Sequence, residues 1–174
     1  MIPFKGISSL KQYMPLKPVK WGYKVHCLCG EDGIMYDFVI YKGKIEPLSD
    51  EPDLGASSNI VVNLARTIPN DLNHLLYFDR WFTSLPLQTH LASKGIYSLG
   101  TVNVNRLPGI AFASDKEFLQ TGRGSYQEKS TVVDACEVRA VKWMDNRSVT
   151  LLSTFASAEP LHECKRYDKK ERNL

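Results

Sequence analysis

From residue 19 the chain alternates. Val19, Trp21, Tyr23, Val25, Cys27 and Cys29 fall on one face of an extended segment, and Lys20, Lys24 and His26 on the other. Glu31, Asp32 and Gly33 supply turn chemistry, and residues 34–41 resume the strand pattern, so the two runs predict a β-hairpin. Residues 42–53 are polar and carry Pro47 and Pro52, the signature of a loop. A four-residue spacing then takes over. Ile60, Leu64 and Ile68 predict a helix over 54–68, with Ser57 or Ser58 as its cap and Pro69 just past its end. Residues 74–78 are a short apolar strand. Beyond Asp79, Ser84 is placed to cap a second helix, Pro86 falls in its first turn, where a missing N–H does no harm, and Gly95 marks a left-handed end. Residues 96–102 return to strand. Strand, helix of about ten residues and strand make a βαβ unit with parallel pairing.

After Asn103 the pattern changes. Residues 103–109 are turn-rich, 111–119 form a short helix, and Gly122-Arg123-Gly124-Ser125 is a turn. Strands follow over 126–132, 138–144 and 148–155, the last two joined at Asp145-Asn146-Arg147. The opening residues, 1–18, read as loop. The predicted class is α/β: a partial ribonuclease H-like core over 1–102, a mixed sheet with flanking helices. A β-rich insertion over 103–158 and a basic tail over 159–174 follow. The order ββαβαβ would need one further strand before residue 1, between the hairpin and the parallel pair. Without it those two units are not expected to share one sheet.

Composition narrows the class without naming a function. The 174 residues fit one domain, or one with a sizeable insertion, and 43% hydrophobic residues argue for a folded core. The net charge of +3 permits nucleic-acid contact but does not demand it. The positive charge is uneven. Lys5, Lys11, Lys17, Lys20 and Lys24 crowd the first segment, and Lys165, Arg166, Lys169, Lys170 and Arg172 the tail. Cys27 and Cys29 lie too close to wrap a zinc ion, and Cys136 and Cys164 add no metal spacing, so packed, reduced thiols are expected. No apolar run approaches the ~20 residues of a membrane span. A soluble intracellular protein is the expectation.

The chemistry centres on Asp79, at the end of a strand and before a helix, where open α/β sheets place reacting groups. Two readings stand: an aspartate interacting with helix-start N–H groups, or a ligand for a hard divalent cation. A two-metal site with ions ~4 Å apart needs several carboxylates. Asp71, at the far end of the same strand, and Asp37, on the outer hairpin strand, do not converge on Asp79. Trp81 and Phe82 either plug the space between helix and sheet or offer a face to an unpaired base, and Arg80 can reach a phosphate. His26, His74, His90 and His162 are scattered. Protease, serine-hydrolase and dinucleotide-binding patterns lack support.

Several blocks resemble the piggyBac transposase family over nearly the whole chain. They are Ile2-Pro3-Phe4-Lys5-Gly6, Lys17-Pro18-Val19-Lys20-Trp21-Gly22-Tyr23-Lys24, and Tyr77-Phe78-Asp79-Arg80-Trp81-Phe82-Thr83-Ser84. Ser9-Leu10-Lys11-Gln12-Tyr13-Met14-Pro15, Lys94-Gly95-Ile96-Tyr97-Ser98-Leu99-Gly100-Thr101-Val102, Gly122-Arg123-Gly124-Ser125 and the stretch from Ala140 to Thr154 complete the set. The resemblance implies metal-dependent DNA strand transfer with Mg²⁺ or Mn²⁺, DNA as partner at transposon ends and TTAA targets, a homodimer and a nuclear location. It makes Asp79 the second of three catalytic aspartates. The family's first aspartate lies just before the Pro-Phe-Lys-Gly block and its third in a Gly-Gly-Val-Asp-type segment; residues 1–174 contain neither. Three functions are therefore weighed: a transposase-derived core not catalytic by itself, a domesticated DNA- or protein-binding module contacting DNA through Lys5, Lys17, Lys20 and Arg80, and a remnant that does not fold stably.

Overall fold

A helix starts at Leu85 because Ser84 is extended and its Oγ accepts the Leu87 N–H at 3.3 Å, with Pro86 in the first turn. That helix lies between two strands of one sheet, and the rest of the molecule is arranged around it. In the computed structural model, which describes residues 1–162, the elements are β1 (Ile2–Pro3), β2 (Gln12–Tyr13), β3 (Trp21–Tyr23), β4 (Val25–Cys29) and β5 (Met35–Ile40). Then come α1 (Ala56–Ala65), β6 (His74–Phe78), α2 (Leu85–Ala92), β7 (Ile96–Thr101), a 3₁₀ turn (Val104–Arg106) and α3 (Asp115–Gln120). The final strands are β8 (Tyr126–Val133), β9 (Cys136–Met144) and β10 (Ser148–Ser153). Most of the expected basic tail lies outside the described residues.

The class is mixed α/β, with a five-stranded mixed sheet in the order β6-β7-β10-β9-β8. β6 and β7 run parallel, in the register Leu76↔Ser98, as the βαβ pattern predicts, and every other pair in the sheet is antiparallel. β10 takes the second edge of β7, so the strands after residue 103 extend the same sheet. The hairpin β4-β5 forms a separate two-stranded sheet, consistent with the expectation that it and the parallel pair are not continuous.

Two apolar clusters hold this together. The first gathers Val61, Val62 and Ala65 of α1, Leu87 and Leu91 of α2, and Ile96 of β7, with Leu76, Phe78 and Phe82 packed against it. The second joins Val102, Leu107, Val138, Ala140 and Leu152 beneath residues 103–112. Each fully buried leucine contributes about 1.5–3 kcal/mol. Buried Gln88 links the clusters by donating from α2 to the Leu152 carbonyl on β10, at 2.8 Å. Buried Lys142 anchors the segment before α3, with its Nζ 2.7 Å from the Ala113 carbonyl and 2.8 Å from Asp115 Oδ1.

Three expectations are corrected. The single strand over 19–29 is two strands in different sheets. β3 is held between β1 and β2, and Gly22 is needed there because a Cβ would come within 2.1 Å of the Ile2 carbonyl oxygen. The faces of β4 are also reversed: His26 is buried, while Cys27 and Cys29 are exposed. Alternation reveals two faces, but α1 and the Trp81-Phe82 pair cover the one that carries His26. Neither Ser57 nor Ser58 caps α1. Gly55 holds the N-cap position at φ 88°, and Ser58 is turned inward to hydrogen-bond Ser84 Oγ at 3.1 Å.

Two outcomes follow from this packing. Gly100 of β7 lies where a Cβ would meet Thr83 Oγ1 at 2.3 Å and the Phe78 carbonyl oxygen at 2.8 Å. Gly100→Ala is expected to lower stability by about 1–3 kcal/mol in urea unfolding. Glu51, whose side chain is 11% exposed, contacts Lys94 Nζ and lies 2.8 Å from His90 Nε2, strapping the 42–55 segment to α2. Hydrogen bonding to Lys94 chiefly holds its carboxyl below the usual range. A depressed carboxyl stabilises the fold above its unfolded pKa of about 4.3 and loses that contribution as pH falls through its folded value. Glu51→Gln should therefore destabilise by about 1–3 kcal/mol at pH 7, and the difference from wild type should shrink near pH 3, as read by urea unfolding at both pH values.

Candidate functional site

Asp79 is the residue at which β6 ends, and its side chain is exposed. The turn after it is closely built. The Asp79 carbonyl accepts from Phe82 N (3.1 Å), Thr83 N (3.3 Å) and Thr83 Oγ1 (2.9 Å). Asp79 Oδ1 accepts the Trp81 N–H at 2.8 Å. So the helix-start reading is met in part, through a local turn and not through α2 itself, whose cap is Ser84.

Trp81 and Phe82 pack in different places. Phe82 packs against the first core cluster. Trp81 lies parallel to His26 (5.8 Å between centroids, 6° between planes), with Lys24 Nζ 4.4 Å above its ring. The same amine is 5.4 Å from the Tyr41 ring. Lys24, just before β4, and His26 within it thus grip the turn by a cation–π contact and ring stacking, the former worth about 0.5–1 kcal/mol where exposed. Burial first and the Lys24 charge second lower the His26 pKa, so the imidazole is neutral at pH 7. Among the described residues its buried Nε2 has no hydrogen-bond partner.

His26 also lines a cleft of about 290 Å³ between β4 and β6. Consecutive residues of both strands, Val25 to Leu28 and Leu76 to Phe78, face it, with Val61, Leu64 and Ala65 of α1 as its floor. Consecutive residues alternate in side-chain direction, so their common element is the strand edge. β4 pairs on one side with β5, and β6 on one side with β7; the cleft lies between their other edges.

The remaining site expectations are spread out. Lys5, Lys17 and Lys20 are exposed in the N-terminal three-stranded unit, and Arg80 is exposed on the Asp79 turn. Among the described residues no hydrogen bond or ion pair joins the three lysines to that turn. Asp37 lies 3.8 Å from Arg66 on the hairpin side, and the Asp71 backbone N–H donates to the Lys94 carbonyl, which fixes that residue ahead of β6, at the end away from Asp79. Among the described residues no group of three or more His, Cys, Asp or Glu side chains could hold a metal ion. The Mg²⁺ or Mn²⁺ that the resemblance implies does not fit one exposed carboxylate. Lys24, His26 and Arg106, which shape the turn, have no signal in local spacing, because each reaches it from a distant part of the chain.

Residues 1–174 match the family described as Transposase IS4. The human PiggyBac transposable element-derived protein 3 is 28% identical over 172 residues, 98% of this chain and 28% of that protein. The human PiggyBac transposable element-derived protein 2 is 30% identical over 168 residues, 96% of this chain and 28% of that protein. The chain thus spans little more than a quarter of the length of these relatives. In fold it is similar to the piggyBac transposase solved by cryo-EM in a synaptic complex with hairpin DNA, with a TM-score of 0.69 and 24% identity. That likeness covers 92% of this chain and 32% of the other. The family match over the whole chain, the two human relatives and the shared fold lead to one statement: the chain belongs to the Transposase IS4 family, in its piggyBac-type branch.

Proposed function

We propose that residues 1–174 form part of a ribonuclease H-like transposase core, ancestrally a metal-dependent DNA strand-transfer enzyme, and are not catalytic by themselves. The observation that carries this reading is the isolation of Asp79. A family-type carboxylate stands exposed at the end of a parallel strand, and no second carboxylate converges on it among the described residues. Phosphoryl transfer by two metals requires several such ligands around the attacking and leaving oxygens. In a ribonuclease H-like layout the cleft between β4 and β6 is the place of one further strand. DNA is the natural partner for this reading, as in the complex of the similar transposase, and a nuclear location and a homodimer go with it.

A second reading is a domesticated binding module without catalysis. It is favoured by exposed Lys5, Lys17, Lys20 and Arg80, which suit a nucleic-acid backbone. The exposed Tyr36, Phe38 and Ile40 on β5 suit a protein partner instead. The division into a core over 1–102, an insertion over 103–158 and a tail over 159–174 remains part of this proposal.

Two experiments test these readings. The chain is expected not to nick labelled piggyBac-type end DNA in Mg²⁺ or Mn²⁺; cleavage that Asp79→Asn abolishes would overturn the non-catalytic reading. If the lysines bind DNA, the logarithm of affinity should fall by roughly 0.9 per phosphate contact for each tenfold rise in salt. Replacing Lys5, Lys17 and Lys20 by Gln should then flatten that slope in a fluorescence-anisotropy titration. Affinity insensitive to salt would exclude DNA binding through these residues.

A further inference from the structure

The turn that carries Asp79 is held by a side chain from beyond β7. Within the turn, Asp79 supplies one carbonyl and one carboxylate oxygen, and both accept hydrogen bonds from residues 81–83. The carbonyls of Arg80, Trp81 and Thr83 converge instead on a single atom, Arg106 Nη1, at 2.9, 3.2 and 3.3 Å. Among the described residues Arg106 makes no ion pair, and its recorded side-chain bonds all go to these three carbonyls.

We propose that Arg106 is the positioning residue of the Asp79 turn. Its base is rigid. The Arg106 N–H donates to the Asn103 carbonyl and the Leu107 N–H to the Val104 carbonyl, each at 2.9 Å, while Leu107 is buried in the second core cluster. The guanidinium therefore transmits the placement of that cluster to the turn. On the opposite side the turn is already fixed, with Thr83 seated over Gly100 and Trp81 against His26. Nη1 carries two N–H groups, so one of them is shared between carbonyls, and the rigid guanidinium plane fixes the direction of both, whereas a lysine ammonium turns freely on a flexible stem. Arg106 is exposed, so its removal leaves the three carbonyls in water and affects local order more than global stability. The relevance to chemistry rests on the proposed role of Asp79, since a site residue must be held to within about 0.5 Å. The positioning itself needs neither metal nor DNA.

The test follows the turn directly, in metal-free protein without nucleic acid. The chain is labelled with 5-fluorotryptophan, and the Trp81 line among its three ¹⁹F signals is assigned with Trp81→Phe. Arg106→Gln should shift and broaden the Trp81 line while leaving those of Trp21 and Trp143 in place. Tryptic cleavage after Arg80 should accelerate about tenfold as the turn opens, and Arg106→Lys should recover part of both effects. An unchanged Trp81 line and cleavage rate in Arg106→Gln would overturn the proposal. So would equal changes in all three lines, which would make Arg106 a general stabiliser. The DNA-nicking experiment reports on Asp79 separately, so a failure of either inference is recognised without the other.

Discussion

The parallel pairing of β6 with β7, closed over by α2, is the constraint on which the rest of the structure depends. It brings Leu87, Leu91 and Ile96 into one nearly inaccessible cluster, and α1 completes that cluster from the other side. The free edge of β7 then accepts β10, through which β9 and β8 join the sheet. Where β6 ends, the crossover must leave the sheet within a few residues to begin α2 at Leu85. Asp79 lies at that point, so the geometry of the crossover also sets the geometry of the candidate site.

The site is well formed locally and sparse chemically. Its turn is held from four directions: by its own hydrogen bonds, by Gly100, by the Lys24–Trp81–His26 stack and by Arg106. Yet the turn presents one carboxylate, and the nearby cleft between β4 and β6 lies between two strand edges and is lined by His26, whose buried Nε2 has no hydrogen-bond partner among the described residues. A preformed turn beside an open slot supports the proposal of a transposase-derived core that is not catalytic by itself.

Much of this was legible in the chain. The strand 74–78, the Ser84 cap, the left-handed Gly95 (φ 67°) and the hairpin at residues 145–147 each rest on local chemistry, and local chemistry decides them. The place of Asp79, directly after that strand, was legible for the same reason. What could not be read depends on tertiary choice. Alternation in β4 marks two faces but not the one α1 will cover, so the burial of His26 and the exposure of Cys27 and Cys29 came out opposite to expectation. Ser58 had the composition of a cap but was drawn inward by Ser84, 26 residues away. Arg106 resembled any arginine in a turn until folding brought it to three carbonyls.

The central proposal is that residues 1–174 do not by themselves assemble a divalent-metal site around Asp79. The most direct measurement is an electron paramagnetic resonance titration of free Mn²⁺ with the wild-type chain and with Asp79→Asn. The account predicts weak, superimposable curves for the two proteins, because one exposed carboxylate does not hold a hard cation against water. A tight site lost in Asp79→Asn would contradict it, and would mean that this chain assembles a complete metal centre.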